Sequence, residues 1–221
     1  MNFDEYVHLT WNDAYQFLDG IKVTLTVTII SIVLGTLLGS LIGALRCSKN
    51  KIVSTVPLIF IEPLRNSPLV VQLFLVYYGL PMVSRIILSE YESALLTFTL
   101  NTAAFFAVLV HTSVKAIPKG QWEAGFALGH PKFSVFKNII IKQVIRLLTP
   151  QAITLYIGQL QCSSLVALIN LADITKVGDV ITARTFKPFL VWGIVFVLYF
   201  IVSFPLSKLS QKLEKKLSFS M

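Results

Sequence analysis

Long apolar runs, separated by short polar segments, dominate this chain. Five windows carry no charge: Val23–Leu45 (23 residues), Asn66–Ser84 (19), Ser93–Val110 (18), Leu147–Ala172 (26) and Pro188–Ser207 (20). The third extends to Val114 when His111 is neutral. The hydrocarbon core of a bilayer takes roughly 20 helical residues. The pattern therefore predicts an all-α integral membrane protein with five transmembrane helices.

The longest polar interruption is Ile117–Lys142, between the third and fourth windows. Gly120 is expected to start its first helix, with Gln121 turned toward free backbone donors. Glu123 then falls in the first turn, where the helix dipole favours an anion. Ala124 comes directly before Gly125, and Gly129 and His130 follow in the same short stretch. The two glycines are four apart and share a face, and a face without side chains admits another backbone. Pro131 stops the helix and pushes His130 toward extended backbone. A second helical piece is predicted over Lys132–Lys142. The expected result is a bent helix pair with an exposed glycine-lined face that a soluble partner can grip.

Inside the windows, polarity is uneven. Glycines 35, 39 and 43 recur every four residues and predict a helix-packing surface in the first span. The stretch from Ile61 to Phe74 mixes Glu62, Arg65, Ser67, Pro68 and Gln72. Glu62 and Arg65 are three apart and able to pair on one helical face, and Pro63 and Pro68 predict a kink or broken start. Two readings stay open: a bent helix whose charges rest at the inner headgroups, and a part of the conduction path or its gate. Gln72 is deeper and is expected to face protein. His111 is read near the inner end of the third span, as a structural hydrogen-bonding group or a substrate contact. In the fourth window Gln159, Gln161, Ser163 and Ser164 are costly against lipid and should face helices or a wet cavity. A short outer helix is predicted around Ile174–Thr185.

Composition agrees with the membrane reading: 55% of residues are hydrophobic and 14% charged, against about 25% charged in soluble domains. The first twenty residues hold Asp4, Glu5, Asp13 and Asp19 and little apolar length, unlike a signal peptide. With the segments after the first, third and fifth spans inside, thirteen basic residues lie inside and five outside. The bias predicts the N-terminus outside and the C-terminus inside. It also accounts for the formal charge of +8 without nucleic acid. The organisation expected is an outer amphipathic lead-in over 1–22, a five-span domain over 23–207 with an inner loop over 115–146, and a basic inner tail over 208–221. Cys47 and Cys162 lie at different depths, which argues against a disulfide.

No phosphate-binding loop, metal-ligand cluster or nucleophilic triad is visible, so no catalytic role is expected. Aspartates fall outside the spans, which gives little support to a proton relay. Five spans make an incomplete wall for a solute path, and pairing of two such subunits is the simplest completion. Energy then arrives from a soluble partner at the inner loop.

GQWEAGFALG at 120–129 resembles the EAA loop of bacterial ABC importer permeases: Glu123, Ala124 and Gly129 match, and Gly125 replaces the second Ala. PLRNSPLVVQLFLVYYGLP at 63–81 and SSLVALINLADITKVGDVITART at 163–185 resemble the polar amino-acid subfamily, and the likeness covers nearly the whole chain. It implies the type I importer permease fold in the bacterial cytoplasmic membrane. It implies a second permease subunit, identical or homologous, two ATP-binding cassette ATPase subunits that hold ATP and Mg and receive the loop, and an extracytoplasmic solute-binding protein. By the same resemblance the solute is a polar amino acid, the alternatives being cystine or another sulfur compound, or an opine. A secondary transporter is the remaining alternative.

Three departures stand out. Lys142 replaces the usual proline, so the loop is expected to join the fourth span less sharply. Phe105, Val108 and His111 stand where relatives carry Tyr-x-x-Glu-x-x-Arg. Gln161-Cys162-Ser163-Ser164 replaces Lys-Asp-Thr-Ser. If these positions line the path, this chain offers fewer charges to an amino acid than its relatives do.

Overall fold

The computed structural model describes residues 8–218, and among these every regular element is a helix. The helices are α1 (Trp11–Arg46), α2 (Lys51–Arg65), α3 (Leu69–Ser84), α4 (Glu90–Lys115), α5 (Lys119–Ala127), α6 (Lys132–Ile169), α7 (Ile174–Thr185) and α8 (Pro188–Ser218). Four of them, α1, α4, α6 and α8, are long and apolar enough to cross a membrane. The pair α2 and α3, bent by 98°, supplies a fifth crossing if both limbs form one span.

The boundary expected at residue 22 is not marked by a break. α1 runs unbroken for 36 residues from Trp11, so the lead-in and the first span are one helix. The reason is local: Thr10 and Asp13 close a capping box at Trp11, which starts the helix early. Residues 1–7 of the lead-in and 219–221 of the tail lie outside the described residues. α4 likewise begins ahead of its charge-free window, because Ser89 and Glu92 form a capping box.

The glycine stripe of α1 packs as expected. A Cβ on Gly35 would meet Thr102 Cβ at 2.6 Å, one on Gly39 would meet Ala103 O at 2.6 Å, and one on Gly43 would meet Val110 Cβ at 2.7 Å. α4 therefore lies backbone-close along α1, the arrangement that small residues permit where lipid gives no hydrophobic drive. Tyr156 of α6 joins this pair, its hydroxyl 2.8 Å from Thr36 Oγ1 and its ring stacked on Phe106. Outward, α1 shows Ile29, Val33, Leu37 and Leu41, and α8 shows a ladder of Phe196, Phe200 and Phe204.

The predicted outer helix is present as α7. Asp173 caps it, accepting from the Lys176 N–H at 2.8 Å and from the Tyr199 hydroxyl of α8 at 3.0 Å. Thr24 Oγ1 of α1 accepts from the Ile174 N–H at 3.3 Å, and a Cβ on Gly20 would stand 3.1 Å from the Asp173 backbone. Asp173 is fully buried, and burial raises its pKa above the ordinary carboxylate value despite these donors. At the other end of α7, Arg184 Nη2 meets both Asp13 carboxylate oxygens at 2.6 Å. α7 is thus pinned to α1 at both ends. Cys47 and Cys162 are both free.

Candidate functional site

The inner polar stretch folds into a hairpin of α5 against the first turns of α6. Pro118 sits at the N-cap, so the helix begins at Lys119, one residue earlier than expected, and Glu123 lies beyond the first turn. The expectation of a first-turn carboxylate is therefore corrected. The helix ends in a Schellman turn: Gly129 has φ +79°, its N–H donates to Phe126 O at 2.9 Å, and the His130 N–H donates to Gly125 O at 3.3 Å. Pro131 follows and opens the second limb.

The shared glycine face is also corrected. Gly125 is buried, and a Cβ there would meet both Val135 methyls at 2.9 Å. Gly129 has left the helix, and nothing among the described residues lies within 4 Å of its Cβ position. One glycine lets the two limbs touch; the other turns the chain. Trp122 stacks on Phe136, and Ile117, Val135, Ile140 and Val144 are buried beneath. The Gln143 side-chain amide donates to Gln121 Oε1 at 3.0 Å across the limbs. What the hairpin leaves exposed is Gly120, Gln121, Glu123, Ala124 and His130, with Phe126, Leu128 and Phe133 as an apolar tip. Leu128 is 76% exposed. The second limb is not a separate piece: α6 runs from Lys132 through Lys142 to Ile169. With lysine in place of proline, no backbone donor is missing there.

The second polar locus is the bend between α2 and α3. The helix passes Pro63 and breaks at Asn66–Ser67, ahead of Pro68. The expected Glu62–Arg65 pair is absent among the described residues. Glu62 Oε2 instead accepts from Asn66 Nδ2 at 2.8 Å, and the Arg65 guanidinium lies over the Phe105 ring of α4 at 5.6 Å. The local turn at Asn66 offers the carboxylate a nearer donor. Ser67 Oγ donates to Pro63 O at 2.6 Å. Gln72 is buried against protein, as expected, and is hydrogen-bonded to the Leu64 and Ser67 carbonyls and to Asn101.

The candidate path residues separate into two sets. Gln72, His111, Gln159 and Ser163 are buried within the chain, and Gln159 Nε2 has no hydrogen-bond partner among the described residues. Glu62, Arg65, Pro68 and Gln161 are exposed, and Ser67 and Ser164 are half-buried. The fourth-span cluster divides for a helical reason. Gln159 and Ser163 are four apart and face inward, whereas Gln161 lies on another face. Ser163 and Ser164 return their hydroxyls to the Leu160 and Gln161 carbonyls at 2.7 and 2.9 Å. Sequence reasoning passed over Asn101 and Phe105 as partners of the bend; their spacing of four on α4 was the available signal. Among the described residues no group of three or more His, Cys, Asp or Glu is placed to hold a metal ion.

Residues 31–217 match the family model of the binding-protein-dependent transport system inner membrane component. The chain is 30% identical over 208 residues to the glutamine transport system permease protein GlnP of Escherichia coli K12, covering 94% of this chain and 95% of that one. It is also 30% identical over 199 residues to the L-cystine transport system permease protein TcyB of Bacillus subtilis 168, covering 90% and 85%. The fold matches the crystal structure of an amino acid ABC transporter with histidines at a TM-score of 0.86 and 28% identity, over 98% of this chain and 99% of that one.

Proposed function

The chain belongs to the family of binding-protein-dependent transport system inner membrane components, and from that premise we propose how its parts serve as the permease subunit of a polar amino-acid ABC importer. α1, α4, α6, α8 and the bent pair α2–α3 form five spans, with the N-terminus outside and the C-terminus inside. A second permease subunit completes the path. ATP and Mg are held by two partner ATPase subunits, and a solute-binding protein delivers the amino acid from outside. The chain itself performs no catalysis.

The hairpin carries the reading. Its limbs are packed on each other around Gly125 and its second limb is the start of α6. A push on its apolar tip is transmitted along a membrane-spanning helix rather than absorbed in a loop. Glu123, Ala124 and the Phe126–Leu128–Phe133 tip are the surface offered to the ATPase, with Gly120, Gln121 and His130 at its edges. The outward residues Glu62, Arg65, Pro68 and Gln161, with Ser67 and Ser164, are assigned to the path or gate. Gln72, His111, Gln159 and Ser163 shape it from behind. The relatives' solutes, glutamine and L-cystine, are both candidates here.

The test is Leu128→Asp and Phe133→Asp, since neither residue supports the hairpin's core. Both variants should insert and fold, lose co-purification with the ATPase, and lose uptake in vesicles. Normal association with normal uptake would remove the hairpin from energy coupling.

A further inference from the structure

Proline has no backbone N–H, so Pro68 leaves the carbonyl of Leu64, four residues earlier, without the donor a continuing helix would supply. The 98° bend lies at this point. Side-chain amides take over the missing bond. Gln72 Nε2 donates to Leu64 O at 2.7 Å, and to Ser67 O and Oγ at 3.1 and 3.0 Å. From α4, Asn101 Nδ2 donates to Gln72 Oε1 at 3.2 Å and to Leu64 O at 3.4 Å. Both amides are 7% exposed. A half-buried carbonyl stripped of such donors would bear part of the cost of its lost water.

α4 also touches the bend at a second point. One turn beyond Asn101, Phe105 lies beneath the Arg65 guanidinium. Arg65 has no ion pair with Glu62, so its place depends on two things: the angle of the bend, and the ring of Phe105.

We propose that Gln72 and Asn101 are positioning residues for transport. Their paired amides substitute for the hydrogen bond Pro68 cannot donate, fix the α2–α3 bend, and so hold Arg65 at the path surface. This rests on the assignment of the bend's exposed face to the path.

The test uses the intact importer, with its ATPase and binding protein, in lipid nanodiscs and proteoliposomes. Nitroxide labels at Ile59 and Met82, one on each limb and both exposed, report the bend by electron–electron distance, with Cys47 and Cys162 replaced. Uptake is measured per assembled complex, for the amino acid that the wild type takes up fastest from a panel of L-amino acids and L-cystine. The variants are Gln72→Met, close in size but without donors, and Asn101→Leu, with Arg65→Gln as the control for the path.

Both amide variants should broaden the distance distribution and lower the saturated uptake rate at least tenfold. The double variant should be no worse than the more severe single, since the two act as one unit. Arg65→Gln should lower uptake and leave the distance sharp. A sharp wild-type distance in both amide variants overturns the proposal, as does a broadened distance with full uptake. Full uptake in Arg65→Gln overturns the path assignment beneath it. Lowered uptake in Arg65→Gln with full uptake in both amide variants overturns the amide pair alone. Should Gln72→Met fail to assemble, Asn101→Leu decides by the same criteria, because it leaves the Gln72 bonds to Leu64 and Ser67 in place.

Discussion

Gly125 is where the hairpin is most sensitive to a single carbon. Gly125→Ala puts a Cβ 2.9 Å from both Val135 methyls and 3.2 Å from Ile139 Cδ1. Carbon atoms rest at about 3.5–4.0 Å, so the limbs must part by roughly half an ångström to one ångström. Val135 is fully buried and β-branched, with little rotamer freedom to yield. Overpacking of this kind costs about 1–3 kcal/mol. Alanine gains back about 1 kcal/mol of helix propensity over glycine. The net for Gly125→Ala is therefore a loss of about 0–2 kcal/mol, and Gly125→Val, with two further carbons in the same wall, falls at or beyond the upper limit.

The amides of Gly129 and His130 report this opening, because their bonds to Phe126 and Gly125 close the hairpin. In hydrogen exchange, Gly125→Val should lose about tenfold or more of their protection, a factor of ten being about 1.4 kcal/mol. Val135→Ala removes both methyls that the new Cβ meets. The double variant Gly125→Ala/Val135→Ala should then recover by about 1 kcal/mol relative to the sum of the singles. Gly129→Ala behaves differently: nothing crowds its Cβ, and the positive φ alone costs about 1–2 kcal/mol, which Val135→Ala cannot relieve. Unchanged protection in Gly125→Val, or strict additivity in the double variant, would refute the packed joint.

Three further outcomes are expected. Single cysteines at Asn2 and Ser220, with Cys47 and Cys162 replaced, should react with an impermeant maleimide on intact cells at 2 and not at 220; the reverse labelling inverts the orientation. The raised pKa of Asp173 means that the folded state holds its proton more tightly than the unfolded state. Its contribution to stability is therefore fully present below the unfolded pKa near 3.8 and is lost as pH rises through the folded value. Asp173→Asn, which keeps an N-cap acceptor, should flatten the fall of melting temperature with rising pH, while Asp173→Ala should lose about 1 kcal/mol for the cap; a wild-type slope in Asp173→Asn refutes the assignment. Gln161→Leu and Ser164→Ala should each lower uptake at unchanged complex yield, Ser164→Ala by the smaller factor because its hydroxyl bonds within its own helix; full uptake in both takes this face of α6 off the path.

The spans were legible because hydrocarbon imposes a length and forbids charge: three of the five windows lie wholly within single helices, and a fourth, Leu147–Ala172, overruns its helix by the three residues after Ile169. The helix ends were not set by apolar length. α1 starts at Trp11 because Thr10 and Asp13 exchange capping bonds, and α4 starts at Glu90 because Ser89 and Glu92 do the same. Both capping boxes can be read from sequence, yet each lies ahead of its charge-free window, so a search by hydropathy passes over them. α7 was found where it was expected, since Asp173 marks its start and Lys187–Pro188 the next element.

The sites were legible as places and not as contacts. The inner loop stood out by polarity, but two glycines four apart carry no sign that one would face Val135 while the other left the helix. Helical spacing holds only as far as the helix, and the Schellman turn ends it between them. The bend failed in the same way. Three-residue spacing made Glu62 and Arg65 neighbours, yet Asn66 captured the carboxylate and an aromatic ring 40 residues away in sequence captured the guanidinium. Pro68 is the instructive case. A proline announces an orphaned carbonyl four residues back, and an orphan shielded from water calls for a donor. The sequence therefore posed the question that Gln72 and Asn101 answer, although only tertiary packing brings α4 to the bend.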